Sequence, residues 1–443
     1  METNELRAQA QDLNNQGALL LENGKAQEAR KKFDQAIELD PMLASSYENY
    51  GNLYMHLEEY ENAKNSYKKA MLIEKSGYRE FLYGSACFMN DEPHEGIEHY
   101  NLAISANYDN DEMYYLMGMA YEHMNDDNMA LRYYQRACAK NPSRPDYVIK
   151  KIHVLFALGM YEDAEEASDD LILLAPELFD SYHIKTHLMM INGKAEEAVS
   201  FAKEASEKFP EDPELVYDYA QALVEADRLD DALKVIINAK KMKYFSDAKR
   251  EFLIFESRIL AQQGNTQEAV KCCMQCVDDE SDGQVDAEAR FLLMNFYLDE
   301  ADFERSLEQA EKLVAADQED EFYYAALYYR AFCNAQLGNE TAAALYKTAN
   351  SIYRLAALND PGNLDAYIYR AMCLRDMEEY SKALEILSFL TDLKIEIAEI
   401  HILKADVYLK MGKNALYEEE MKEAYRIKPE LRPEEVQNNV AGI

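Results

Sequence analysis

The sequence predicts an all-α protein built from stacked helix–turn–helix units, and three observations lead there. The first is the stretch Asp111–Arg144, which reads as two helices and a stop. Tyr114, Met117, Gly118 and Tyr121 fall at i, i+3, i+4 and i+7, one stripe of a helix. Asn125-Asp126-Asp127 is turn chemistry, and Ala130, Tyr134 and Ala137 make a second stripe. Asn141-Pro142 ends the second helix, because proline cannot continue one and the residue before it avoids the helical region. The second observation is size placement. Gly118 lets two helices approach, Ala130 and Ala137 keep the contact face flat, and larger residues fill the gaps. The third is recurrence: the same arrangement returns along nearly the whole chain.

Taken in order, the first unit covers about 10–43, with Gly17, Ala29, Phe33, Ala36 and Pro41. The second, 44–77, has Tyr47, Gly51, Tyr54, Ala63, Tyr67 and Ala70. The third slips back by one residue and carries Gly84, Gly96, Tyr100 and Ala103; the fourth is Asp111–Arg144. The fifth, from 145, has Ile152 in place of the glycine but keeps Ala164 and Pro176. The sixth, from 179, keeps Tyr182, Ala198, Ala205 and Pro210, and the seventh, from 213, keeps Ala220, Ala232 and Ala239. The register then breaks at Lys240-Lys241-Met242-Lys243-Tyr244-Phe245, the densest basic cluster in the chain. An eighth unit follows from 250 with Ser257, Ala269, Cys273 and Cys276, and a weak ninth from 287. The tenth, from 324, needs extra residues between Gly338 and Tyr353, which predicts a longer second helix. The eleventh (364) and twelfth (398) return to pattern, and Pro429 closes the array.

This spacing resembles the tetratricopeptide repeat, a helix–turn–helix of 34 residues. The resemblance covers about 10–429 and implies a right-handed superhelical α-solenoid of about twelve repeats. The expected organisation is an N-terminal array over 10–246, a C-terminal array over 247–429 with irregular insertions near 277–287 and 339–355, and a polar tail over 430–443.

Composition limits the function. Apolar residues make up 48% of the chain, enough for a folded protein. The formal charge of −37 argues against nucleic acid and anionic membrane surfaces as ligands. Seven scattered cysteines form no small disulfide framework, which favours a reducing compartment. The N-terminus METNELRAQAQDLNNQG lacks a signal-type apolar core, and the apolar runs are too short to span a bilayer. A soluble, cytoplasmic protein is expected.

In tetratricopeptide proteins the first helices of successive repeats line a concave groove for peptides or partner helices, with repeat positions 2, 5, 9 and 12 facing it. Carried onto this chain, the resemblance implies partner contacts at Tyr78, Phe81, Phe88, Tyr115, Met119, Ile149, His153, Phe156, His183, His187, Tyr217, Gln221, Arg258, Phe291, Asn295 and Tyr328. An apolar, aromatic groove is one reading of these side chains; partial burial between neighbouring helices is the other. Position 2 is acidic in five successive repeats, at Glu112, Asp146, Asp180, Glu214 and Glu251. These acids either select a basic ligand or simply complement the helix macrodipole.

His183 and His187 share one helical face, with His153 in the preceding repeat and Asp146 and Asp180 nearby. The residue types suit zinc, but no cysteine lies on that face, and peptide contact or packing is the preferred account. Cys273 and Cys276 form a lone CxxC inside a helix, at positions where the repeat wants small core residues, so packing is expected rather than redox chemistry. No phosphate loop, nucleophile elbow or metalloprotease motif appears. The lysine-and-asparagine clamp by which some tetratricopeptide co-chaperones hold acidic tails is also missing, since Asn49 and Asn52 lie beside Glu48 and Ser45.

The expectation is therefore a monomeric, non-enzymatic scaffold or adaptor. It has no cofactor and no metal, and it captures a protein or peptide of basic or apolar-aromatic character. The alternatives are a regulatory or substrate-recruiting subunit of an enzyme complex, or a receptor for a short signalling peptide.

Overall fold

The computed structural model describes residues 2–246, 248–277, 287–316 and 321–432. Among these residues there are 24 α-helices and no strand. The chain divides into two compact units, Met1–Arg228 and Leu229–Ile443. Much of the irregular stretch expected near 277–287, and the tail from 433, lie outside the described residues.

In the first unit the hairpins are α1 and α2 (Glu2–Glu22, Ala26–Leu39), α3 and α4 (Ala44–His56, Tyr60–Ile73), and α5 and α6 (Gly77–Met89, Pro93–Ser105). They continue through α7 and α8 (Asp111–His123, Asp127–Lys140), α9 and α10 (Pro145–Ala157, Tyr161–Leu174), α11 and α12 (Phe179–Ile191, Ala195–Lys208), and α13 (Pro213–Glu225). The helices start where the sequence supplies caps. Ser76, Asn110, Asp126 and Asp212 each accept a backbone N–H of the first turn of α5, α7, α8 and α13. Pro93, Pro145 and Pro213 open α6, α9 and α13, where a missing N–H costs nothing.

One backbone feature repeats in every hairpin. The turn after each first helix holds a residue in the left-handed region: Gly24, Glu58, Asp91, Asn125, Gly159, Gly193 and Asp227 in the first unit. In the second unit these are Gly264, Ala301, Gly338, Glu378 and Gly412. The next N–H then reaches back to the first helix, as Asp126 does to the Tyr121 carbonyl at 2.9 Å. From Asn125 to Asp227 these residues recur every 34 positions.

The core explains the repeat's small and large positions. Phe33, Tyr67, Tyr100 and Tyr134 are fully buried, each over a glycine of its own first helix. A Cβ on Gly118 would lie 2.5 Å from the Tyr134 ring, so the aromatic occupies the space the glycine leaves. Ala29, Ala63, Ala130, Ala164 and Ala198 are fully buried at the matching place in the second helices.

The second unit opens with α14 (Leu229–Ala239) and a 3-10 turn at Lys243–Phe245. The basic cluster sits here. Lys240 pairs with the buried carboxylate of Glu256, and Phe245 packs edge-on against Phe252, with ring centroids 5.6 Å apart. The hairpins α15 and α16 (Lys249–Gln262, Thr266–Val277), α17 and α18 (Ala287–Asp299, Phe303–Ala316), and α19 and α20 (Tyr323–Gln336, Ala342–Asn359) follow. Then come α21 and α22 (Leu364–Asp376, Tyr380–Asp392), α23 and α24 (Ala398–Lys410, Asn414–Ile427), and a 3-10 turn at Pro429–Leu431. The extra residues of the tenth repeat lengthen α20 to 18 residues. Cys272, Cys273 and Cys276 lie inside α16 in a core with Leu253, Leu293 and Tyr297. Burial pushes the Cys272 thiol up to about 12, the opposite of what a reactive thiolate needs.

Candidate partner-binding face

The first helices of the first unit carry the residues expected to meet a partner, and the structure sorts them by exposure. On α5, Tyr78 is exposed, but Phe81 is buried and stacks 5.4 Å from Tyr108 in the loop before α7. Phe88 is half-buried against the core that holds Met113 and Met117. Phe81 is thus a packing residue. Gly77, on the same helix, leaves room for Tyr108, whose Cβ would lie 2.6 Å from a Cβ placed there.

On α7 and α9, Tyr115, Met119 and Ile149 are half-buried against one core cluster that contains Ile152 and Leu155. Tyr115 stacks on Tyr147 with ring centroids 4.8 Å apart. Phe156 is 47% exposed and meets Tyr161 edge-on. Partial burial and the nearby Lys150 ammonium hold the His153 imidazole below its ordinary range. On α13, Tyr217 and Gln221 are half-buried, and the Gln221 amide donates to Glu225 at 3.0 Å.

The most structured part of this face joins α11 to α13. Asp218 is 1% exposed. Its Oδ2 lies 2.7 Å from His183 Nδ1, and its Oδ1 lies 3.2 Å from His187 Nε2. The two imidazoles are 4.5 Å apart between centroids. The hydrogen bond to Asp218 raises the His183 pKa, and the carboxylates of Glu214 and Asp180 add to the effect. Three potential ligand atoms of His183, His187 and Asp218 all lie within 4.8 Å of one another. Asp218 went unnoticed in the sequence because it occupies repeat position 6, outside the groove pattern. The signal was an acid three residues before Gln221, opposite a histidine pair one repeat upstream.

A second close cluster, Cys87, Glu92 and Glu95, is of another kind. The Lys64 ammonium already pairs with both glutamates, so their charge is met inside the chain.

In the second unit, Arg258 pairs with Glu288, Phe291 stacks on Phe322 at 4.5 Å, and Asn295 is half-buried. Tyr328 is 1% exposed and lies in the core. Its hydroxyl donates to Asp376 at 2.7 Å and accepts from Arg375 at 2.8 Å. Tyr328 is therefore held by its own chain, as Phe81 is.

The acids of repeat position 2 lie in the first turns of α7, α9, α11, α13 and α15, where they favour the helix dipole. Asp146 is also paired with Arg144, which holds its carboxyl below the usual range. Among the described residues no helix is long and apolar enough to cross a membrane.

Family profiles described as tetratricopeptide repeat match residues 10–42, 44–76, 111–143 and 189–243. These four matched segments carry tetratricopeptide repeats. A curated relative, anaphase-promoting complex subunit 3 of Schizosaccharomyces pombe, is 28% identical over 151 residues, which is 34% of this chain and 23% of that protein. The small glutamine-rich tetratricopeptide repeat-containing protein 2 of Saccharomyces cerevisiae is 30% identical over 107 residues, 24% of this chain and 31% of that one. The matches therefore span less than a third of either relative. Among solved structures, yeast Tom70 aligns over 98% of this chain and 99% of its own, at 15% identity and a TM-score of 0.47.

Proposed function

We propose that this chain is a protein-interaction scaffold that takes an apolar segment of a partner across α7, α9, α11 and α13. The observation that carries the reading is Phe156, an aromatic ring left 47% exposed. It shares α9 with half-buried Ile149, and half-buried Tyr115, Met119 and Tyr217 lie on first helices of other repeats. A large ring half in water gains roughly 1 kcal/mol or more when a partner covers it. The acids Glu112, Asp146, Asp180 and Glu214 in the first turns favour a segment that also carries basic residues. The partly open rings give affinity, and the acids reject acidic competitors.

Gln221 and Arg258 are bound to Glu225 and Glu288, so register is set by the rings and not by these polar groups. The last helix α24 buries only Ala424 and exposes Glu418, Glu419 and Lys422, which supports a monomer over end-to-end stacking. A second reading, a recruiting subunit inside a larger assembly, is favoured by the likeness to a named subunit of the anaphase-promoting complex.

The test is affinity purification of the full chain from native extract with identification by mass spectrometry, beside a Phe156→Ala/Tyr217→Ala variant of unchanged helicity. A partner held by the wild type and lost by the variant supports capture on this face. A partner retained equally by both overturns it and moves binding elsewhere on the array. Co-purification of several stoichiometric proteins marks the assembly reading.

A further inference from the structure

We propose that the first unit binds one divalent transition-metal ion, of the zinc class, between His183, His187 and Asp218. The inference does not depend on a peptide lying across the same face, and it reverses the reading of the histidines as peptide contacts or packing.

The geometry is set by two first helices. His183 and His187 lie one turn apart on α11, so both imidazoles project from one face. Asp218 reaches them from α13. Zinc bonds of about 2.0–2.1 Å place tetrahedral ligands roughly 3.3 Å apart. The two His–Asp hydrogen bonds, 2.7 Å to Oδ2 and 3.2 Å to Oδ1, hold both imidazoles at the carboxylate, and one ligand atom from each residue lies within 4.8 Å of the others. These atoms close to the tetrahedral spacing by turning an imidazole that has space on its solvent side.

The charge balance points the same way. Asp218 is 1% exposed, and its ion partners are the two histidines; no lysine or arginine reaches it among the described residues. A buried carboxylate needs compensation, and the two imidazoles are the ion partners that face it among the described residues. A divalent ion held between them supplies that compensation. The contrast with Cys87, Glu92 and Glu95 is instructive, because there Lys64 already stands where a cation would sit.

Nitrogen and carboxylate ligands suit zinc, nickel and copper better than calcium or magnesium. The histidine side chains are 38% and 45% exposed, so an ion has a route in and the fourth position stays open to water. No electron moves. A neutral imidazole shifts its N–H from the inner nitrogen to the outer one, and a protonated imidazole releases one proton to solvent. Asp218 exchanges two hydrogen bonds for one metal–oxygen bond.

The experiment uses the full chain and the metal alone. Zinc is titrated in competition with a chromogenic chelator, and cobalt serves as the spectroscopic probe. The wild type is expected to hold one equivalent that the His183→Ala/His187→Ala variant loses. Asp218→Asn is expected to weaken it by at least about tenfold. Bound cobalt should show d–d bands without sulfur-to-metal charge transfer. Equal stoichiometry and affinity in wild type and double variant overturns the proposal. So does a sulfur charge-transfer band, which would put the ion on a cysteine, and so does a wild type that takes no zinc. If Asp218→Asn does not fold, His187→Ala alone decides, because its side chain is 45% exposed and its loss leaves the core intact.

Discussion

The first four repeats of the first unit and the tenth and eleventh of the second solve the same packing problem with different chemistry. In Met1–Arg228, glycines at 17, 51, 84 and 118 lie under Phe33, Tyr67, Tyr100 and Tyr134, and close ring-to-backbone contact packs each hairpin. In Leu229–Ile443 the equivalent places hold Ser257, Met294, Ala331, Ala371 and Ala405, so the helices cannot close in that way. A part-buried polar network ties the first helices α19, α21 and α23 together. Arg375 donates to Asp376 at 2.7 Å, to Asp406 at 2.9 Å and to the Tyr328 hydroxyl at 2.8 Å. Tyr346 adds a bond to Asp376. The lesson concerns fragility. A contact-locked hairpin fails when volume is added, and a network-locked one fails when a single partner is removed.

The largest expected effect tests the network. Arg375→Ala leaves Asp376 hydrogen-bonded to Tyr328 and Tyr346 but without its cation, and should cost about 3 kcal/mol. Urea denaturation should show the loss in the second unit while reporters in the first hold. A cost below about 1 kcal/mol would show that solvent reaches the network and that the contrast is overdrawn.

Next comes added volume. Gly118→Ala pushes a methyl against the Tyr134 ring and should cost about 2 kcal/mol. The reverse change in the second unit, Ala331→Gly, should cost only about 1 kcal/mol, through helix propensity. Similar losses at both sites would erase the distinction.

The turns should respond alike in both units. Glu58 and Ala301 adopt left-handed backbone, at φ 60° and 55°. Replacing either with glycine should stabilise by about 1 kcal/mol, read as a rise in the denaturation midpoint. No gain in either unit would mean that the side chains compensate the backbone.

The smallest effect is pH-dependent. The folded pKa of His183 is raised by Asp218, so its stabilisation is whole below about pH 6.5 and fades as pH rises through the raised value. The stability difference between wild type and His183→Gln should therefore shrink from pH 6 toward pH 8. His153 is shifted downward, so its contribution is present above about pH 6.5 and is lost as pH falls. Slopes of the same sign for the two histidine variants would contradict these assignments.

The array was legible because its signal is redundant. Gly118, Ala130, Tyr134 and Pro142 describe one hairpin, and their equivalents return at one period. The longer α20 was legible for the same reason, since a displaced Tyr353 fixes how many residues were added. The face was less legible, because exposure depends on what the next repeat supplies. Phe81 and Tyr328 hold position 5 as Tyr115 does, yet Tyr108 covers the first and Tyr369 and Arg375 close over the second. Asp218 was missed because its role comes from a helix one repeat upstream, a relation that no single repeat contains.

The left-handed turn residues work as a punctuation mark. Each one resets the phase of the chain, so a change of length is absorbed before the next mark and does not travel further. The widest interval, between Gly338 and Glu378, is where α20 has grown, and Gly412 follows Glu378 at the ordinary distance. Duplicating or deleting one whole interval places every side chain beside an equivalent neighbour. A protein built this way can change its length in evolution without renegotiating its interior.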